Sequence, residues 1–381
     1  MHADVDADEF VQRTRRLARE QLVAVASAGP PGRVNRPLLR ALAEHRLLQL
    51  LFPQSVGGMQ PGAVSAMHLC LLREGLASEC VDAETALALQ GLGSYGILQA
   101  GRPDVVARWL PAVCRGEAVA AFALSEPEAG SDAGALTLRA EPDGSDFRLT
   151  GTKLWISNAP EADIYTVFAR TTDGVGARGV SAFAVPGDSA GLSGSSLEMI
   201  SSHPIGKLDF DGVRVPENHL LGERDRGFRV AMQTLDLFRP SVGALAVGMA
   251  QAALEVALEN AVTRQACGRP LMEMQAVAHR LADMATLTHA ARLIVRDAAA
   301  AYDAHAPDVT ARSAMAKLHA TESAQQVVDG AVQILGARAL QHGHPLEHLY
   351  REVRAPRIYE GASEVQRSII ARHLSARESA P

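Results

Sequence analysis

Three short stretches of the 381-residue chain carry side chains with chemistry to offer. The last, Arg357-Ile358-Tyr359-Glu360-Gly361-Ala362-Ser363, sets one carboxylate between an aromatic ring and a glycine. Such a carboxylate is ordinarily a turn residue, but in a dry site burial raises its pKa and makes it a general base. The first stretch, Ser125-Glu126-Pro127-Glu128-Ala129-Gly130-Ser131-Asp132, leaves an apolar run and turns through Pro127 and Gly130. That turn can present backbone N–H groups and the Ser125 and Ser131 hydroxyls to a ligand, while Glu126 and Asp132 suit bracing it as well as touching ligand. Between the two, Trp155-Ile156-Ser157 pairs a large flat ring with a neighbouring hydroxyl, either as a core aromatic or as one wall of a planar ligand's site.

Other patterns carry less. Gly91-Leu92-Gly93-Ser94-Tyr95-Gly96 satisfies GxGxxG, but that pattern holds a dinucleotide only between the strand and helix of a βαβ unit. Here it follows Ala86-Leu87-Ala88-Leu89-Gln90 in a helical stretch, and it reads as a glycine-rich bend between helices. His203, His342 and His344 invite a metal reading, but His342-x-His344 lies in a glycine- and proline-bearing loop with no nearby Cys or acidic ligand set, so no metal is expected. Cys70, Cys80, Cys114 and Cys267 are scattered without CxxC spacing and read as packing residues of a reducing compartment.

The elements that must position these groups follow from composition and period. Apolar residues make up 47% and charged residues 21%, and the net charge of -6 is spread along the chain, which argues against disorder and against a nucleic-acid partner. No run of about 18 uninterrupted apolar residues is present, and the polar, acidic start argues against a signal or transit peptide, so a cytoplasmic protein is expected. Basic residues are almost all Arg; only Lys153, Lys207 and Lys317 are lysine. Residues 1 to about 118 read as helical, with Leu38, Leu39, Leu42, Leu47 and Leu48 at helical spacing and Pro53 and Gly57-Gly58 ending that helix. From about 119 to 228, Val119–Leu124, Ile164–Ala169 and Val180–Val185 read as strands, with a turn at Asp143-Gly144. After Arg239-Pro240 the helical period returns, in long Ala-rich helices suited to close packing and to oligomerisation.

The three chemical stretches, in this order and at this spacing, resemble the acyl-CoA dehydrogenase family of flavoenzymes from about residue 35 to residue 373. The resemblance implies a mainly helical α+β fold: an N-terminal helical domain (1–118), a central small β domain (119–228) and a C-terminal four-helix-bundle domain (229–381). It implies FAD as cofactor, an acyl-CoA or acyl-carrier-protein thioester as substrate, an electron-transfer flavoprotein as acceptor, and a homodimer or homotetramer. Glu360 would take the substrate α proton while the β hydrogen leaves as hydride to flavin N5. Its amide N–H would help polarise the thioester carbonyl. Phe122, Leu124, Ser125, Gly130, Ser131, Trp155 and Ser157 would hold the ring end of FAD. Arg264, Gln275, Gln333, Gly336 and Glu364 would serve the rest of the cofactor, Arg264 reaching the flavin of a neighbouring subunit. Ser131, Phe228, Asp236, Arg239, Tyr359, Gly361, Ser94 and Tyr95 would meet substrate. Phe238 occupies the position where some members carry the base, which leaves Glu360. Cys267, Ala337 and Ala362 depart from the family's Phe, Gly and Thr, all toward the adenosine end or beside the base. Alternatives are the same fold with oxidase, monooxygenase or carrier-protein desaturase chemistry, and a flavin-free scaffold.

Overall fold

The computed structural model describes residues 6–174 and 176–378. Helices come first: Ala7–Leu17 (α1), Val23–Ser27 (α2), Arg36–Glu44 (α3), Ala66–Ala77 (α4), Val81–Ala100 (α5) and Pro103–Cys114 (α6). Strands follow: Ala120–Ala123 (β1), Arg139–Asp143 (β2), Asp146–Ser157 (β3), Ile164–Arg170 (β4), Val180–Pro186 (β5), Leu192–Ser196 (β6), Ile205–Val215 (β7) and Leu220–Leu221 (β8). The helix Gly227–Thr263 (α7) leads through a short hairpin, Gln265–Ala266 (β9) and Arg269–Pro270 (β10), to Gln275–Asp303 (α8), Val309–Leu335 (α9), Pro345–Glu352 (α10) and Ser363–Glu378 (α11). Helices, strands, then helices is the expected α+β order. By contacts the chain forms two compact units, one of residues 24–64 and 85–235, the other of residues 1–23, 65–84 and 236–381.

The unit of residues 24–64 and 85–235 is built on an eight-stranded sheet in the order β6-β7-β3-β2-β4-β5-β8, with β1 parallel to β4. β4 and β5 are buried along almost their whole length, which is why their sequences are mostly apolar, interrupted only by the buried hydroxyls of Thr166 and Ser181 before Arg170 ends β4, whereas β3 and β7 alternate between buried and accessible residues. The β2–β3 hairpin pairs Asp143 with Asp146 and turns through Gly144 (φ +67) and Ser145, one residue later than predicted.

Two helical expectations are corrected in this unit. Helix α3 ends at Glu44, well before Pro53, in a Schellman motif. Leu47 N–H donates to Leu42 O at 2.8 Å and Arg46 N–H to Ala43 O at 2.9 Å, with Arg46 left-handed (φ +60) where glycine is usual. An arginine at that position is what hid the stop. The Gly91–Gly96 stretch is not a bend but lies inside α5. Its glycines serve close packing: a Cβ at Gly93 would sit 2.5 Å from Ala121 N and 2.6 Å from Ala120 C, so the helix rides directly on the β1 backbone. Gly93→Ala is therefore expected to cost about 1–3 kcal/mol, as overpacking against backbone does, measurable as a lowered urea midpoint at unchanged slope.

In the other unit, α8 and α9 pack along their length, with α4 against α8 and α11 and α10 against α9. Helix α7, whose residues 227–235 belong to the sheet unit, begins at Gly227, earlier than the Arg239-Pro240 start predicted, because Pro240 is accommodated inside it. A proline there cannot donate to the carbonyl four residues back, that of Asp236. An 18-residue window of α7 is apolar enough by composition to cross a bilayer, but 67% of it is buried within the protein, as in a core helix.

Candidate functional site

In the sheet unit, β3 joins the Trp155 and Ser125 stretches. Its register on β7 slips between Lys153↔Leu208 and Ile156↔Gly206, so Leu154 and Trp155 together oppose one residue in a bulge. The bulge puts Trp155 in left-handed backbone (φ +56) and turns its ring outward, 46% exposed, so it is not a core aromatic. Leu154 N–H is thereby freed to donate to Ser125 O at 3.1 Å. Lys153, with no accessible surface, donates from Nζ to Leu124 O at 2.9 Å and to Glu126 Oε1 at 2.8 Å. Glu126 also accepts from Thr137 N–H at 2.6 Å, the Thr137 hydroxyl at 2.8 Å and Leu138 N–H at 2.9 Å, so it braces the turn. Burial lowers the Lys153 pKa to about 8, with Glu126 opposing. Burial also pushes Glu126 up, but Lys153 and the two amides outweigh it and hold the carboxyl below its ordinary value.

Around this brace, Gly130, Ser131 and Asp132 are exposed, Ser125 is half-buried, and a Cβ at Gly130 would meet nothing within 4 Å. Ser157 Oγ lies 2.7 Å from His203 Nε2. Phe122 is half-buried with its ring tilted on Phe168, and Leu124 is buried.

In the helical unit, Glu360 (φ +50) and Gly361 (φ +93) are successive left-handed residues. Glycine adopts this freely; for glutamate it costs about 1–3 kcal/mol and persists only where the surroundings impose it. The residue is half-buried, yet its Oε2 is inaccessible and has no hydrogen-bond partner among the described residues. Burial pushes the Glu360 carboxyl above its ordinary value, while Arg73, Lys317 and Arg239 pull it down and Glu84 adds repulsion. Arg73 is ion-paired to Glu84 and donates to the Ser241 hydroxyl at 2.6 Å, all three being buried. Arg239 Nη1 lies 3.2 Å from Asp236 Oδ1, but its Nε is buried without a partner among the described residues. Burial raises Asp236 and lowers Arg239, so their pairing does not fully offset desolvation. Both sit inside α7, not at its start, so neither caps it. Phe238 is buried beside them, and Tyr359 is partly exposed.

The remaining predicted residues are dispersed. Arg264, Gln275, Gln333, Gly336 and Glu364 are all exposed, at helix ends or in the turns beside them. Cys267 (φ +51) and Gly268 (φ +78) form the turn of the β9–β10 hairpin. Ser94 is a correction: it has no accessible surface and its hydroxyl is bonded to Gln90 O within α5, so the expected ligand contact is not available to it. Tyr95 and Phe228 are half-buried. His344 caps α10 by accepting Leu346 N–H at 3.1 Å, and His342 lies 3.2 Å from Glu347.

Arg73 and Gln366 were missed, and Lys153, Lys317 and His203 were noticed without the contacts they make here. One signal existed for two of them: lysine is rare in this arginine-rich chain, and two of its three lysines, Lys153 and Lys317, are the ones found fully buried.

Family models for the N-terminal, middle and C-terminal domains of acyl-CoA dehydrogenase match residues 5–117, 121–213 and 225–375. The chain is 35% identical over 364 residues to cyclohexane-1-carbonyl-CoA dehydrogenase of Geobacter metallireducens, covering 94% of this chain and 95% of that protein. The solved butyryl-CoA dehydrogenase of Megasphaera elsdenii superposes with a TM-score of 0.91 at 29% identity, covering 98% of this chain and all of the other. The solved FAD complex of PigA superposes equally well, TM-score 0.91 at 25% identity, covering 99% of both chains.

Proposed function

The chain belongs to the acyl-CoA dehydrogenase family, and from that premise we propose that it carries out FAD-dependent α,β-dehydrogenation of an acyl-CoA thioester to the 2-enoyl-CoA. The observation that carries the reading is Glu360: a carboxylate oxygen without solvent or, among the described residues, a partner, on strained backbone, its pKa raised by burial. Such a group is a general base in waiting, and its raised pKa brings it closer to the strength that abstraction of a weakly acidic α proton requires.

The sheet unit's residues fit a flavin. A bulge that exposes a flat ring, an adjacent hydroxyl and an open serine-bearing turn offer a stacking face and polar edge contacts. We assign Phe122, Leu124, Ser125, Gly130, Ser131, Trp155 and Ser157 to that end, and Arg264, Gln275, Gln333, Gly336 and Glu364 to the remainder, as exposed polar groups that a cofactor or a second subunit could cover. Bound FAD supplies an acceptor for the β hydride. Glu360 takes the α proton, and the developing charge on the thioester oxygen calls for a fixed donor such as the Glu360 amide. Asp236, Arg239, Tyr359, Gly361 and Phe228 are assigned to substrate, Arg239 because its buried Nε still lacks an acceptor. Exposed Leu258, Val262, Leu293 and Leu340 support a homodimer or homotetramer. An electron-transfer flavoprotein as acceptor, a cytoplasmic location and domain limits near 118 and 228 complete the reading.

The test is anaerobic titration of the purified yellow protein with a panel of acyl-CoAs. At least one is expected to bleach the long-wavelength flavin band and yield the 2-enoyl-CoA. A protein that takes up no FAD, or holds FAD that none of the panel reduces, would overturn the reading.

A further inference from the structure

The turn that carries Glu360 is gripped from one side by α9. Lys317, fully buried, donates from Nζ to Gly361 O at 2.6 Å. Little more than one helical turn on, Glu322 accepts from the Ser363 hydroxyl at 2.6 Å and pairs with Arg357 at 2.8 Å. Thus one helix holds residues before and after the base. Gln366 of α11, also fully buried, adds a second donor to Gly361 O at 2.8 Å. Two successive left-handed residues are an unstable excursion for a free loop, and these contacts are what impose it.

We infer that Lys317 is a positioning residue for the reaction: it fixes the Glu360–Gly361 peptide through the Gly361 carbonyl and sets the charge state of the Glu360 carboxylate as a buried cation beside it. The inference rests on the reading of Glu360 as the base. A structural lysine would need only to bond a carbonyl, which Gln366 already does for the same oxygen. Burying an ammonium for that purpose alone is costly, because desolvation penalises the charged form. That penalty lowers the Lys317 pKa to about 8, with Glu360 opposing it and Arg239 adding to it. The charged groups acting on Lys317 are Glu360, Arg239, Glu322 and Glu364; those acting on Glu360 are Arg73, Lys317, Arg239 and Glu84.

The sign of the effect separates the two roles. A cation near the carboxylate favours its ionised form, so removing the cation must raise the pH at which the base becomes active. Lys317→Met is expected to lower kcat by about 10- to 100-fold with little change in KM, as a small misplacement of a reacting group does. The acidic limb of kcat/KM should move up by about one pH unit or more. Lys317→Arg, which keeps the charge, is expected to return the limb to the wild-type pH. If the methionine variant does not fold, Lys317→Gln keeps a donor for Gly361 while removing the charge, and the same upward shift is expected. A folded neutral variant with an unmoved limb, or a Lys317→Arg limb displaced as far as the neutral one, would overturn the inference. Glu360→Gln separates it from its premise. If that variant still reduces flavin, the base reading falls and Lys317 with it; if it is inactive while the Lys317→Met limb stays put, Lys317 alone falls.

Discussion

Glu360→Gln is expected to retain the fold and FAD while slowing flavin reduction by an acyl-CoA by about 10²–10⁴-fold, the usual worth of a positioned base. The hydrogen bonds and ion pairs formed by the groups around the carboxyl survive loss of its negative charge. Arg73 keeps Glu84 and Ser241, Arg239 keeps Asp236, and Lys317 keeps the Gly361 carbonyl. The inaccessible Oε2 makes no hydrogen bond that an amide would lose. Burial already disfavours the charged form, so the neutral side chain should be tolerated or mildly stabilising. The pH dependence has a definite sign. A carboxyl whose folded pKa lies above its ordinary 4.5 binds more protons folded than unfolded in that interval, so wild-type stability falls as pH rises through it. In Glu360→Gln that slope should vanish. Anaerobic stopped-flow reduction and urea unfolding between about pH 4 and 7 measure both effects. Reduction within tenfold of wild type would transfer the base role elsewhere.

Much of the molecule was legible because its signals are local or periodic. The runs that became β4 and β5 are mostly apolar since both faces are covered, and the helical period after Arg239-Pro240 is carried by α8 and α9, where Leu281, Met284 and Val328 are buried although Met315 is exposed. What stayed hidden depends on contacts far apart in sequence. Arg46 stands where a glycine would have announced the end of α3, and Gly93 looks like a bend because nothing local shows that β1 lies against it. The site divides in the same way. Glu360 could be singled out from its neighbours in sequence, but the cations that act on it come from α4, α7 and α9, and no local pattern announces them. Trp155 was open between core and ligand face; the bulge in β3 takes its ring out of the core, and bulges leave no clear trace in a single sequence. Ser94 failed because its hydroxyl is satisfied within its own helix, a common fate of a small hydroxyl on a buried helix face.

The brace beneath the proposed flavin end gives the largest expected change in stability. Lys153→Met should destabilise the protein by about 3–5 kcal/mol, because removing one member of a buried pair leaves the other uncompensated. Glu126 would keep three donors but lose its counter-charge in a place nearly closed to water. The same lysine ties the Leu124 carbonyl to β3, so the Ser125 turn and the Trp155 bulge would loosen together, and FAD retention should fall with stability. Charge and shape can be told apart, since replacing both partners by apolar residues is often neutral. Lys153→Met with Glu126→Leu should regain part of the lost stability without regaining FAD, for the turn would then also lose the hydrogen bonds that Glu126 makes. Titration adds an independent check. Lys153 has its pKa lowered from 10.5 to about 8, so between those values the unfolded chain binds more protons and wild-type stability should rise with pH. Glu126 acts at the other end: with its pKa held below 4.5, its contribution is present above that pH and is lost as the pH falls through the folded value. Urea unfolding of wild type and Lys153→Met at about pH 7 and 9.5 tests the alkaline part. A loss below about 1 kcal/mol, or the same alkaline rise in both proteins, would mean that water reaches the pair and that something else holds the two motifs together.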